Sequence, residues 1–167
     1  MKGFLSLGAN LGDRLLNLQR ARDCLPAYGI RIIDQSSIYE TKALEVIHPQ
    51  RAYFNMVIKM ETILRPFELL QICHQVEDAL GRQRPYYHAP RSIDIDILAL
   101  EGITITTAEL QVPHPRMESR SFVMYPLSEI APDIILPSGR HIQDVKKALG
   151  DDEIVLVWKK QEWERTL

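Results

Sequence analysis

Arg91-Ser92-Ile93-Asp94-Ile95-Asp96-Ile97-Leu98-Ala99-Leu100 contains the clearest strand of the chain, from Ile93 onward. Side chains alternate along a strand, so Ile93, Ile95 and Ile97 share one face and Asp94 and Asp96 the other. On a regular strand the two aspartate α-carbons lie about 6.6 Å apart, close enough for both carboxylates to grip one metal cluster. Aspartate is a poor strand former, and two on one face repel each other unless a cation sits between them. Hard oxygen ligands suit Mg²⁺, whose shell is completed by waters and substrate phosphates. Read alone, such a pair is more often just the wet face of a half-exposed strand.

Working outward, Pro66 opens a helix at a position where proline is tolerated. Leu69, Leu70, Cys73, Val76 and Leu80 mark its length, and Gly81 stops it. Tyr53 to Thr62 reads as one strand and Ile30 to Tyr39 as another. Phe4 to Leu7 is the first strand, ended by a turn over Gly8-Ala9-Asn10-Leu11-Gly12. Asp13 caps the helix that follows, and Pro26 and Gly29 close it. Beyond Gly102 come a short β segment, a Pro-His-Pro turn, helices over about 120–130 and 142–149, and a strand from Ile154 to Trp158. The β-α-β-β-α-β order from Phe4 to Leu100 predicts an α+β fold: a ferredoxin-like antiparallel sheet with helices packed on its faces. One domain over residues 1–167 is expected.

Lys plus Arg is 20 and Asp plus Glu is 22, a net charge of -2. That balance argues against a nucleic-acid or anionic-membrane partner. Cys24 and Cys73 have neither metal-ligand spacing nor the density of a disulfide framework, which points to a reducing compartment. The N-terminal apolar run is too short for a signal peptide, and no stretch approaches the roughly 20 apolar residues of a membrane span. A cytoplasmic chain is expected.

The neighbourhood of the aspartates raises their interest. The segment Gly81-Arg82-Gln83-Arg84-Pro85-Tyr86-Tyr87-His88-Ala89-Pro90-Arg91 carries Arg82, Arg84 and Arg91 on a loop that feeds into the strand. Arginine binds phosphate with a planar fork of donors, so several suit a triphosphate. Carboxylate-held Mg²⁺ beside arginines is what phosphoryl transfer calls for. His114, on its proline-rigid turn, and Arg120 offer further cationic contacts, although such a histidine more often bonds locally. Tyr53 and Asn55 share a strand face, and with Phe122 they could hold a flat heterocycle, the amide reading its edge; core packing and a sheet-edge role are the plainer readings. There is no P-loop, G-x-G-x-x-G, G-x-S-x-G or H-E-x-x-H.

Together these segments resemble the 6-hydroxymethyl-7,8-dihydropterin pyrophosphokinase family of the folate pathway. The resemblance rests on Leu5 to Arg14, Tyr39-Glu40-Thr41, Tyr53-Phe54-Asn55, Glu77 with Gly81-Arg82, Pro90 to Asp96, Val112-Pro113-His114-Pro115-Arg116-Met117 and Arg120-Ser121-Phe122. It implies a monomer that moves the terminal pyrophosphate of ATP onto the pterin hydroxymethyl group, with attack at the β-phosphorus and release of AMP. It implies two Mg²⁺ ions on Asp94 and Asp96, Arg82 and Arg91 swinging onto the triphosphate, and Arg84 assisting. His114 and Arg120 would contact phosphates, Glu77 would lie near the nucleotide, and backbone around Ile97, Leu110 and Gln111 would hold adenine. Asn55 would pair with the pterin edge between Tyr53 and Phe122, with the Thr41 to Leu44 loop in the same pocket. The chain departs from the family's pattern over Lys42 to His48, which lacks the usual proline and glycine, and at His88, where some members place tryptophan. Two other readings compete: an RNA-binding module, and a Mg²⁺-dependent phosphohydrolase or nuclease built on the same aspartates.

Overall fold

The computed structural model describes residues 1–42, 51–81 and 92–160. Its axis is β4 (Tyr53–Thr62), a run of aromatic, Met, Val and Ile residues that suits a sheet's pleated surface. Along one side of β4 runs β1 (Lys2–Ala9), in antiparallel register from Lys2 opposite Glu61 to Ala9 opposite Phe54. Along the other side lie β2 (Ile30–Gln35), beside the end of β4, and β3 (Ile38–Thr41), beside its start. β5 (Asp94–Leu100) pairs with β1, and β8 (Ile154–Trp158) with β3, so the sheet runs β5-β1-β4-β3-β8 with β2 also on β4. A separate hairpin joins β6 (Ile105–Thr106) to β7 (Gln111–Val112).

One face of the sheet packs on α1 (Arg14–Cys24) and α2 (Pro66–Ala79). Leu5, Leu7, Met56, Ile58, Ile95 and Ile97 meet Leu18, Ala21, Leu69, Cys73 and Val76 there, all buried. The other face packs on α3 (Ser121–Ile130) and α4 (Ile142–Leu149), which bring Val123, Met124, Leu127, Ile142 and Val145 over Val57 and Leu98. Burying this apolar surface on both sides drives the assembly. The chain is thus a small α+β domain with an antiparallel sheet and four helices among the described residues. No described helix is long and apolar enough to cross a membrane.

Local signals act as their chemistry dictates. The Asp13 carboxylate accepts from Leu16 N–H at 3.0 Å and caps α1. Gly29 stands at φ +79°, a left-handed position that glycine takes without steric cost, and turns the chain into β2. Two expectations need correction. Gly8 and Ala9 belong to β1 rather than to the turn, because their pairing with Asn55 and Phe54 extends the ladder. The strand expected over Ile30 to Tyr39 is broken at Ser36 and Ser37. There the Ser36 hydroxyl accepts from Val57 N–H at 3.0 Å, and Ser37 donates its N–H and hydroxyl to Glu129. Ser36 N–H keeps one backbone bond to the Val57 carbonyl at 2.9 Å, but side chains take the neighbouring groups and divide the segment into two strands.

Candidate active site

The two aspartates stand on the face that α3 and α4 only partly cover. Register carries Asn55, Gly8 and Asp94 across three strands in one row, and Val57, Ser6 and Asp96 in the next. Because side chains alternate, Asp94 and Asp96 share this face with Leu98, which lies under the helices. The carboxylates are half-buried, as the sequence alternation predicts. Gly8 lets Asn55 come close: a Cβ there would meet Asn55 Oδ1 at 3.0 Å and press on the amide.

β5 is an edge strand, and its outer edge shapes a second part of the site. Glu77 on α2, buried to 1% exposure, accepts from Ile95 N–H at 2.7 Å. Alternation then aims the N–H of Ile97 at the same outer edge. Leu98 is an extra residue in the β1–β5 ladder, a bulge between Ile97 and Ala99. Its carbonyl accepts from His114 N–H at 2.8 Å and so holds the Pro-His-Pro segment against the strand. Between these parts lies a cleft of ≈ 320 Å³ whose lining includes Glu77, Asp94, Asp96, Ile97, Gln111 and His114. Leu110 lines it too, as do Leu70, read in the sequence only as a helix residue, and His74, which sequence reasoning did not single out.

His114 Nδ1 accepts from Arg116 N–H at 3.1 Å. Burial, followed by the nearby Arg120 and Arg116, pushes the ring's pKa down to about 4, while Asp94 pulls weakly the other way. At neutral pH the ring is therefore uncharged with its proton on Nε2, a hydrogen-bond donor rather than a cation. The local hydrogen bond expected of a histidine on such a turn is present. Arg120 Nη1 stands 3.7 Å from Asp96 Oδ2, and its guanidinium carbon 5.4 Å from the Phe122 ring centroid. Phe122 also packs against the core under α3, as the plainer reading of this aromatic expects.

At the other end of the row, Asn55 Nδ2 donates to Thr41 Oγ1 at 2.8 Å, and both residues are buried. Tyr53 lies opposite Thr41 and shares the face of Asn55. Tyr39, on the same face, donates from its hydroxyl to Glu129 Oε2 at 2.9 Å. That bond ties β3 to the helix that carries Phe122. Glu153 adds a further tie, accepting Lys42 N–H on its carbonyl and the Ser121 hydroxyl on its carboxylate.

The structure thus brings Asp94, Asp96, Glu77, Ile97, Leu110, Gln111 and His114 together around the cleft, with Arg120 beside Asp96. Thr41, Tyr53 and Asn55 form a group at the far end of the same row. Arg82, Arg84, Arg91, His88 and Leu44 lie outside the described residues. Among the described residues, no group of three or more His, Cys, Asp and Glu side chains converges as a metal cage.

The family model for 7,8-dihydro-6-hydroxymethylpterin-pyrophosphokinase (HPPK) matches residues 4–132. The chain belongs to the HPPK family. A Bacillus subtilis protein named 2-amino-4-hydroxy-6-hydroxymethyldihydropteridine pyrophosphokinase is 38% identical over 95% of this chain and 90% of its own length. An Aquifex aeolicus protein of the same name is 41% identical, covering 80% of this chain and 82% of that one. A crystal structure titled as HPPK-DHPS in complex with substrates superposes with a TM-score of 0.69 at 14% identity. It covers 88% of this chain, which spans 43% of that longer one, and the likeness concerns fold alone. Membership in the HPPK family makes this chain an enzyme, a diphosphokinase. The family match includes the aspartate row, the Pro-His-Pro segment and Phe122, and it ends before α4 and β8.

Proposed function

We propose that the enzyme transfers the terminal diphosphate of ATP to the hydroxymethyl group of 6-hydroxymethyl-7,8-dihydropterin, a step of tetrahydrofolate biosynthesis, with AMP as the second product. The observation that carries this reading is the single row of Asn55, Gly8 and Asp94. It places an amide suited to a heterocycle's edge on the same sheet face as two carboxylates beside a cleft. Strand order β5-β1-β4 followed by β2 and β3, with α1 and α2 on one face, supports the ferredoxin-like plan and one domain over residues 1–167. Free thiols at Cys24 and Cys73 support a cytoplasmic setting, and we take the working unit to be a monomer.

The donor set fits Mg²⁺. Asp94 and Asp96 present only hard oxygens, are half-exposed, and leave most of a coordination shell to waters and phosphate oxygens, as Mg²⁺ prefers. Two such ions, when bound, supply charge neutralisation on the transferred group. The protein's own residues do the positioning. The neutral His114 donates from Nε2 to a phosphate oxygen, and Arg120, anchored beside Asp96, adds positive charge. Outward-facing backbone at Ile97, with Leu110 and Gln111, receives the adenine, and buried Glu77 fixes that edge. Asn55, its amide oriented by Thr41, reads the pterin edge, and Tyr53 and Phe122 flank the ring. The pterin hydroxymethyl oxygen then attacks the β-phosphorus in line as AMP departs, and position and charge lower the barrier. Arg82, Arg84 and Arg91 keep their place on the triphosphate, and Leu44 and His88 theirs at the pterin, from the sequence resemblance.

The test is a product assay with ATP, Mg²⁺ and 6-hydroxymethyl-7,8-dihydropterin. Pterin-dependent AMP is expected. ADP, or nucleotide hydrolysis indifferent to pterin, would assign the aspartates to a kinase or hydrolase instead.

A further inference from the structure

On the sheet face opposite the aspartates, the first residue of α1 makes an unusual set of contacts. Arg14 is only 7% exposed. Its Nη1 donates both to Glu40 Oε1 at 2.8 Å and to the Ala52 carbonyl at 2.7 Å. Its guanidinium carbon lies 3.8 Å from the Phe54 ring centroid. Arg51 Nη1 adds a bond back to the Gly12 carbonyl at 3.3 Å, just ahead of the same helix. One arginine therefore holds the end of β3, the residue before β4 and a ring of β4 itself.

Alternation links this cluster to the opposite face. Glu40 and Phe54 are directly paired and both point toward α1. Their neighbours Thr41 and Tyr53 are also directly paired, and Asn55 lies two residues beyond Tyr53. These point the other way, toward the aspartate row. The Asn55–Thr41 bond of 2.8 Å closes only while β3 and β4 keep their spacing here. A largely buried charge pair is a costly way to gain stability alone, since desolvation cancels much of its attraction. Its geometry is nonetheless strict, and that is useful where a spacing must be held.

We propose that Arg14 is a positioning residue for the pterin, acting through the β3–β4 spacing to hold Thr41, Tyr53 and Asn55 in their binding geometry; this rests on the pterin-pocket reading above. Arg14 touches no substrate. Its effect falls on pterin recognition and leaves the nucleotide cleft, at the β5 edge of the sheet, untouched.

The experiment compares steady-state KM for 6-hydroxymethyl-7,8-dihydropterin and for ATP, together with Tm, in Arg14→Met, Arg14→Lys and Asn55→Ala. Arg14→Met is expected to raise the pterin KM by about tenfold through misplacement of the contacts, with the ATP KM unchanged. Arg14→Lys keeps a charge and several donors but lacks the planar face over Phe54, so it restores part of the loss. If the methionine variant does not fold, the lysine variant carries the same comparison, with a smaller rise in pterin KM alone. The proposal is overturned if pterin and ATP KM rise in parallel, or if Tm falls while neither KM moves. Asn55→Ala separates the two layers of the argument. Should it leave the pterin KM unchanged, the pocket reading fails and takes this inference with it. Should it raise that KM while the Arg14 variants do not, only the role of Arg14 fails.

Discussion

At the scale of single residues, the site works by placing groups whose ordinary behaviour is altered by their surroundings. His114 is the clearest case, since burial and two arginines hold its pKa at about 4. Between pH 6.5 and 4 the unfolded chain takes up a proton that the folded ring does not, so the folded state loses stability as pH falls through that window. Wild type is therefore expected to lose more Tm than His114→Gln between those limits, as read by thermal melts across pH. Equal losses would show that the ring titrates as it does in water. Asp96 makes a different prediction. Its partner Arg120 is 3.7 Å away and the Asp96 side chain is 40% exposed, so the pair contributes little to folding. Asp96→Ala is expected to keep Tm nearly unchanged while kcat falls by about 100-fold or more, the scale of removing one electrostatic stabiliser of a transition state. Near-normal turnover would remove Asp96 from the metal site.

At the scale of elements, the α2–β5 contact joins structure to function. A sheet edge presents unpaired backbone groups, and here Glu77 satisfies one of them from a helix while lining the cleft. Glu77→Leu strands the Ile95 N–H and is expected to cost about 1–3 kcal/mol, measurable by urea unfolding. The same change is expected to raise the ATP KM more than the pterin KM, because it disturbs the β5 edge rather than the Asn55 end of the row. Glu77→Gln keeps a carbonyl acceptor and is expected to lose less. The break between β2 and β3 also has consequences. Serines at 36 and 37 take hydrogen bonds that a continuous strand would make, and they let β3 reach Glu129 on α3. The helix that carries Phe122 is thereby anchored to the strand that carries Thr41.

At the scale of the molecule, the division of one sheet face is the organising feature. α3 and α4 cover Val57 and Leu98, while Asp94 and Asp96 at the start of β5 line the cleft beyond them, so a single sheet face is core under the helices and cleft wall at the aspartates. The aspartates belong to the open end, and no described cluster of three ligands builds a structural metal cage. Chelation with EDTA is accordingly expected to abolish pterin-dependent AMP formation while leaving the far-ultraviolet circular dichroism and Tm essentially unchanged. A collapse of Tm on chelation would mean that metal contributes to the fold itself.

Much of this was legible in the residues alone. Period-two alternation placed Asp94 and Asp96 on one face, Asp13 and Pro66 marked helix starts, and β4, α4 and β8 follow local pattern to the residue. The motif order identified the family, because chemistry at a site constrains residue type and spacing along the chain. What the chain could not disclose depends on partners distant in sequence. Gly8 reads as a turn residue until β4 supplies Asn55 above it. The bulge at Leu98 exists only in the pairing of β5 with β1. The convergence of Glu40, Ala52 and Phe54 on Arg14 exists only in the packed sheet. Local pattern sets which way a side chain faces along its own element, but only the packed sheet decides what it meets there.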